Sequence, residues 1–311
     1  MRHILAAVLV VLVVLVAGCG DTSIDPFDND EKYFTVYGFL DQLETNHAVR
    51  VIPITRNAER ILTPTEDNRI DARVFSIDQT TGQIREWTHE FEELEDGTYG
   101  HVFRARFLIQ PGRRYRLEIV RADGKMSWAE TQVPTVPDAA LFERGHVDFN
   151  ADSTEARQTI VIPRIPSPWN INSIYLLNNQ NVGLPGGNGG ALQAFFFVPY
   201  GRTGHRTADG GWQITLNLTQ DTRTVRKTVA DYRAQGAYDD TPESVVAMGV
   251  QVRILDAGWD PPEGIFDPEI LAQPGVLSNV EHGLGYFGSI GIYRQEWPVE
   301  RPLAKALGYE W

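Results

Sequence analysis

Cysteine is almost missing from these 311 residues, Cys19 being the only one. The chain can therefore hold no internal disulfide, and its single thiol is free for one job. Basic runs are missing too. Lys and Arg number 28 against 41 Asp and Glu, a net charge of −13, which excludes the positive surface that nucleic-acid binding requires. No tandem repeat is visible, and beyond residue 17 no apolar run approaches the roughly 20 residues a membrane helix needs. A disordered composition is also excluded, because 42% of residues are hydrophobic and 22% charged, the balance of a globular chain. The length allows two packed domains or one large one.

What is present begins at the amino terminus. Arg2 and His3 precede Ile4 to Ala17, fourteen apolar residues, the length of a signal-peptide core and too short to span a bilayer. The run ends Val16-Ala17-Gly18-Cys19, which resembles a bacterial lipobox. That resemblance implies cleavage between Gly18 and Cys19 and acylation of the thiol, palmitate included, so that Cys19 becomes the first residue. Several acyl chains on one residue, at about 0.8 kcal/mol per buried methylene, hold a protein stably on a membrane.

Residues 19–32 read as a polar tether with five carboxylates between Gly20 and Glu31. Three readings stay open for it: a surface-export signal of the Bacteroidota kind, a solvated linker, or a calcium loop through Asp25, Asp28, Asp30 and Glu31.

From Tyr33 to Thr135 the apolar residues alternate with period two. Tyr99, Phe103, Ala105, Phe107 and Ile109 share one face, and Tyr115, Leu117 and Ile119 alternate with Arg114, Arg116 and Glu118, the pattern of strands with one wet face. Further strands are expected over 34–40, 48–54, 72–77, 86–92 and 125–133. The turns between them are Thr80-Thr81-Gly82, Asp96-Gly97, Pro111-Gly112 and Asp123-Gly124. Short strands at this spacing predict an immunoglobulin-like β-sandwich over 33–135.

Pro134 and Pro137 mark a connector. A second, mainly β domain is expected over 136–311, with strands at 158–165, 173–177, 192–200, 211–219 and 245–255. One short helix is predicted from Thr222 to about Ala234, on the spacing of Val225, Val229 and Tyr232 with Gly236 behind it.

Chemistry is harder to find. Gly283-Leu284-Gly285-Tyr286-Phe287-Gly288 spells a dinucleotide motif, but Ile290 and Ile292 continue it as a strand where a helix is required. His89-Glu90-Phe91-Glu92-Glu93 lacks the second histidine of a zinc protease and reads as a solvated edge. Gly288-Ser289-Ile290-Gly291 lacks the strand-to-helix context of a nucleophile elbow. The seven histidines do not cluster in sequence. Asp256, Asp260, Glu263 and Asp267, with Trp259 and Glu269 among them, are candidates for a calcium site or a basic partner, set against a plain acidic loop. No other cofactor is expected and no catalytic residue is assigned.

Several segments together carry a family resemblance. They are the lipobox, the strand Tyr33-Phe34-Thr35-Val36-Tyr37-Gly38-Phe39-Leu40, the turn Asp96-Gly97-Thr98-Tyr99, the exit Thr131-Gln132-Val133-Pro134, and above all Ser278 to Gly288. These resemble the Bacteroidota outer-membrane lipoproteins of domain-of-unknown-function family forty-two forty-nine. The departures are Tyr37, where a smaller or polar residue is expected, and the loop Pro185 to Gly190, which resembles a local insertion. The resemblance implies lipid-anchored residence at the outer membrane, often beside TonB-dependent receptors, and supplies no catalytic residues. A non-catalytic accessory subunit of an uptake or envelope complex is the expectation. The alternatives are a stand-alone carbohydrate- or peptide-binding module and an enzyme whose site assembles only in space. The glycines of 283–288 are expected on a final strand closing the second domain.

Overall fold

A computed structural model describes residues 31–54, 60–135, 142–152, 154–165, 168–179, 192–236, 242–258 and 278–310. Seventeen strands dominate them. The first eight are β1 (Phe34–Asp41), β2 (Asn46–Pro53), β3 (Arg73–Asp78), β4 (Gln83–Glu86), β5 (Thr88–Glu93), β6 (Tyr99–Arg106), β7 (Arg114–Val120) and β8 (Met126–Gln132). The next six are β9 (Glu143–Phe149), β10 (Ala156–Ile162), β11 (Asn170–Asn179), β12 (Leu192–Gly201), β13 (His205–Arg206) and β14 (Trp212–Asn217). After helix α1 (Leu218–Ala234) come β15 (Ser244–Leu255), β16 (Val280–Glu281), β17 (Gly283–Pro298) and the short helix α2 (Arg301–Ala306).

The mainly β reading holds, and the layers are sandwiches. One eight-stranded sheet runs β12-β11-β15-β17-β1-β2-β6-β5 through the whole molecule. A five-stranded sheet, β16-β8-β7-β3-β4, covers one half of it, and a four-stranded sheet, β13-β14-β10-β9, covers the other. Alternation explains each layer: β7 buries Tyr115, Leu117 and Ile119, while β10 buries Ala156, Gln158, Ile160 and Ile162. Two separate cores result. Phe34, Val51, Phe103, Leu117 and Phe287 belong to the first; Ile160, Tyr175, Leu216, Val250 and Trp297 belong to the second.

The cores do not divide at residue 135. The last strand, expected to close the second domain, pairs in parallel with β1 from Phe34↔Gly283 to Asp41↔Ile290. It then pairs antiparallel with β15 from Leu255↔Ile290 to Ala247↔Pro298. Sixteen residues long, β17 thus serves both sandwiches and places Phe287 in the first core. The strand expected over 86–92 is likewise split. Trp87, buried at 3% exposure, is where the chain leaves the five-stranded sheet at β4 and enters the eight-stranded one at β5.

Helix α1 starts four residues before the expected Thr222. Asn217 caps it, its side-chain oxygen accepting from the Gln220 amide at 3.0 Å, which satisfies one of the donors left open at a helix start. Thr222 lies buried inside the helix. Helix α2, not foreseen, carries Pro302 in its first turn, where the missing amide costs nothing. No helix among the described residues is long and apolar enough to cross a membrane.

Candidate functional site

Four places gather chemistry-bearing side chains. At the first, the carboxylate of Asp256 is buried at the end of β15, 6% exposed. Its Oδ1 accepts from the Tyr286 hydroxyl at 2.6 Å and the Gly258 amide at 3.0 Å; Oδ2 accepts from the Thr131 hydroxyl at 2.6 Å and the Ser289 amide at 2.9 Å. Thr131 spends its only proton on Asp256, so Ser289 donates to Thr131 across their 2.7 Å contact. Burial, then the adjacent Asp256 charge, drives the Tyr286 phenol far above its ordinary value. The result is a polar rivet between β8, β15 and β17. Asp256 was a cation candidate, but four donors already fill its oxygens. Asp260, Glu263 and Asp267 lie outside the described residues. Among the described residues no three His, Cys, Asp or Glu side chains group as metal ligands do.

The same strand shows what the terminal glycines do. Gly285 has φ +87° and faces Val36 across the parallel ladder, and any Cβ there would enter the Val36 carbonyl oxygen. At Gly288 a Cβ would lie 2.5 Å from the Tyr286 ring and 2.7 Å from that of Phe39. Close backbone and ring approach, with no phosphate, accounts for these two positions. Ser289 is wholly buried, which rules out an exposed nucleophile.

At the second place, Asp221 of α1 is 2% exposed. It accepts from Ser173 at 2.7 Å, Tyr200 at 2.7 Å and Tyr175 at 3.2 Å. Burial raises its pKa against the pull of those three hydroxyls. Tyr200 in turn accepts from the Asn217 amide at 2.6 Å, so this network pins α1 to β11 and β12.

At the third, two histidines that never cluster in sequence meet in space. His89 Nε2 and His101 Nδ1 are 3.0 Å apart, packed between Phe91 and Phe103. Burial, then the His89 charge, holds His101 at about 4, and burial with nearby Arg69 lowers His89. One ring nitrogen donates and the other accepts, so the two imidazoles share a single hydrogen bond. His89 is therefore a packed side chain, where a solvated one was expected. The signal was available, because the Asp96-Gly97 turn sets the β5–β6 register that opposes Phe91 to His101 and His89 to Phe103.

The fourth is a pair of sheet edges. On β5, Glu90, Glu92 and Glu93 project charge, two of them paired with Arg104, which discourages strand addition. The opposite edge strand, β12, carries no charged residue, and Phe195 and Phe197 stand 43% and 45% exposed on it. Arg294 lies over both rings, 4.0 and 5.7 Å from their centroids. A separate groove of about 810 Å³ runs between β9 and α2. Its Trp297 is mostly buried and covered by Arg144 at 5.3 Å, so that ring offers no open stacking face.

Gly18, Cys19, most of the acidic tether and the Pro185 to Gly190 loop lie outside the described residues. The family model described as Domain of unknown function (DUF4249) matches residues 21–234. No curated protein matches. Among solved structures, a pullulanase from Anoxybacillus sp. LM18-11 aligns at 12% identity and TM-score 0.20, over 70% of this chain and 24% of that one. A trypsin-activated alpha-2-macroglobulin from Escherichia coli aligns at 10% identity and TM-score 0.21, over 86% of this chain and 15% of that one. The chain thus spans about a quarter or less of the length of these two structures.

Proposed function

The chain belongs to the DUF4249 family, and from that premise we propose a lipid-anchored outer-membrane protein that acts by binding and catalyses no reaction. In this reading Cys19 carries the acyl chains and the folded part is an accessory subunit docked on a TonB-dependent receptor or a related envelope complex. The observation that carries it is the β12 edge. A strand free of charge, with Phe195 and Phe197 outward on a sheet edge, is the kind of surface proteins otherwise blunt, and it suits a partner that adds a strand or an apolar wall.

The test is a mild-detergent pull-down of the tagged, acylated protein from its native outer membrane. A stoichiometric β-barrel should copurify with the wild type and be lost from the double variant Phe195→Arg/Phe197→Arg, whose thermal unfolding should stay within a few degrees of wild type. Recovery of the protein alone in several detergents, or retention of the barrel by the variant, would refute the reading. The anchor is checked separately: Cys19→Ala should accumulate as unprocessed precursor without acyl label, and normal acylation would sink it.

A further inference from the structure

A cavity of about 470 Å³ lies at the end of the first sandwich, between β2, β6 and the 3-10 turn Glu66–Asn68. Its size falls in the range of small-molecule sites, about 300 to 1,000 Å³. Ile52, Pro53, Ile61 and Leu94 give it apolar walls.

Arg50, on β2, supplies its charge. Several other half-buried arginines are neutralised: Arg104 by Glu90 and Glu92, Arg113 by Asp78, Arg116 by Glu118, Arg253 by Asp41. Arg50 has no carboxylate in ion-pair range among the described residues, and its Nε is buried without a hydrogen-bond partner. The neighbouring strand is shaped to receive it. At Gly100 a Cβ would stand 3.3 Å from Arg50 Nε and 3.4 Å from Leu94, so the guanidinium lies directly over a glycine. A half-buried cation without a partner is costly, and its planar fork matches a carboxylate in bidentate geometry.

The remaining charges around the cavity narrow the ligand. Arg60 and Asp96 cancel each other at 2.5 Å, and Asp96 also accepts from the Thr98 hydroxyl at 2.6 Å and the Thr98 amide at 3.0 Å. His101 is engaged with His89. What is left is Arg50 and, on the rim, the exposed Asp67, which no ion pair joins to it.

We propose that this cavity binds a small zwitterion with an apolar side chain, of the amino-acid or short-peptide class. Its carboxylate sits on Arg50, its ammonium faces Asp67 and its side chain lies against Ile52, Ile61 and Leu94. This stands independently of the docking surface on β12.

Isothermal titration of the intact mature protein with four probes tests it: L-leucine, L-leucyl-L-leucine, L-leucinamide and N-acetyl-L-leucine. Leucine or the dipeptide should bind saturably, the tighter of the two showing whether free amino acids or peptide ends are the source. Leucinamide, lacking the anion, should bind at least 10-fold more weakly, and N-acetyl-leucine, lacking the cation, at least 3-fold more weakly. Arg50→Gln should weaken the tighter probe 10-fold or more, and Asp67→Asn should weaken it 3-fold or more. The proposal is overturned if neither leucine nor the dipeptide binds saturably, if leucinamide or N-acetyl-leucine matches the tighter of the two, or if Arg50→Gln binds that probe as wild type does. The probe series on wild-type protein decides the matter even if the variant does not fold.

Discussion

Substituting Gly285 by alanine should open the seam between β1 and β17. Two costs add at this position. A side chain at φ +87° costs about 1–2 kcal/mol in a left-handed conformation. The new Cβ would also stand well under 3.0 Å from the Val36 carbonyl oxygen, so the ladder has to part locally. Losing two backbone hydrogen bonds there costs about 0.5–1.5 kcal/mol each. The sum is about 2–5 kcal/mol, a large share of the 5–15 kcal/mol typical of a folded domain. Gly97→Ala and Gly124→Ala are the controls: both glycines have positive φ, +74° and +82°, with nothing within 4 Å of the place a Cβ would take. They should lose only the conformational part, about 1–2 kcal/mol. Urea denaturation followed by tryptophan fluorescence gives all three midpoints. The alanine at 285 should unfold at a clearly lower midpoint than either control, with a similar slope. Equal midpoints for the three variants would refute the tight approach of the two strands.

Two further outcomes follow from the buried polar groups. Asp256→Asn turns one acceptor oxygen into a donor facing groups that themselves donate, from Tyr286, Gly258, Thr131 and Ser289. It should cost about 2–4 kcal/mol, read as a fall in unfolding temperature, and a neutral result would show that the rivet contributes nothing. His101, held at about 4, takes up its proton near 6.5 in the unfolded chain. The unfolded state therefore binds more protons between these values, and stability falls as pH drops from about 6.5 to about 4. At 1.36 kcal/mol per unit the shift amounts to about 3 kcal/mol, reduced to about 1–2 kcal/mol by solvent screening around the ring pair. Replacing His101 by Phe should flatten that acid slope in denaturation series between pH 7 and pH 4.5; parallel slopes would rule the pair out as its source.

Period-two alternation made β1, β2, β3, β6, β7 and β8 legible, because each has one face in a core and one in water. It missed β9, whose seven residues are all exposed or half-exposed on a sheet edge and so carry no burial pattern. It missed most of β4 and ran its last residue, Glu86, into β5, since Trp87 is apolar in the right phase while the chain changes sheets. Alternation identified the last strand but not its partner. Period two says which face is buried, whereas a parallel pairing with β1 depends on a distant segment that leaves no local mark. The candidate chemistry shows the same limit. Asp256 was visible as an acidic residue in an acidic loop, yet its donors come from β8 and β17. Asp221 drew no notice, since the helix was expected to begin one residue after it, and the hydroxyls that hold it come from β11 and β12. Arg50 drew no notice, because being unpaired is a property of the folded surroundings.

The central position of β17 has a consequence for the order in which this protein can be completed. Gln42 accepts a hydrogen bond from the Ile292 amide, 250 residues away in the chain. Closure over such a distance makes folding slow. A ribosome delivers β1 long before β17 and β15 only shortly before it, so until β17 emerges the two strands that will flank it stand with bare edges. A nascent or shortened chain is therefore not a smaller version of the finished molecule. It is two half-built sandwiches with sticky margins, a natural client for holding chaperones and prone to join its neighbours.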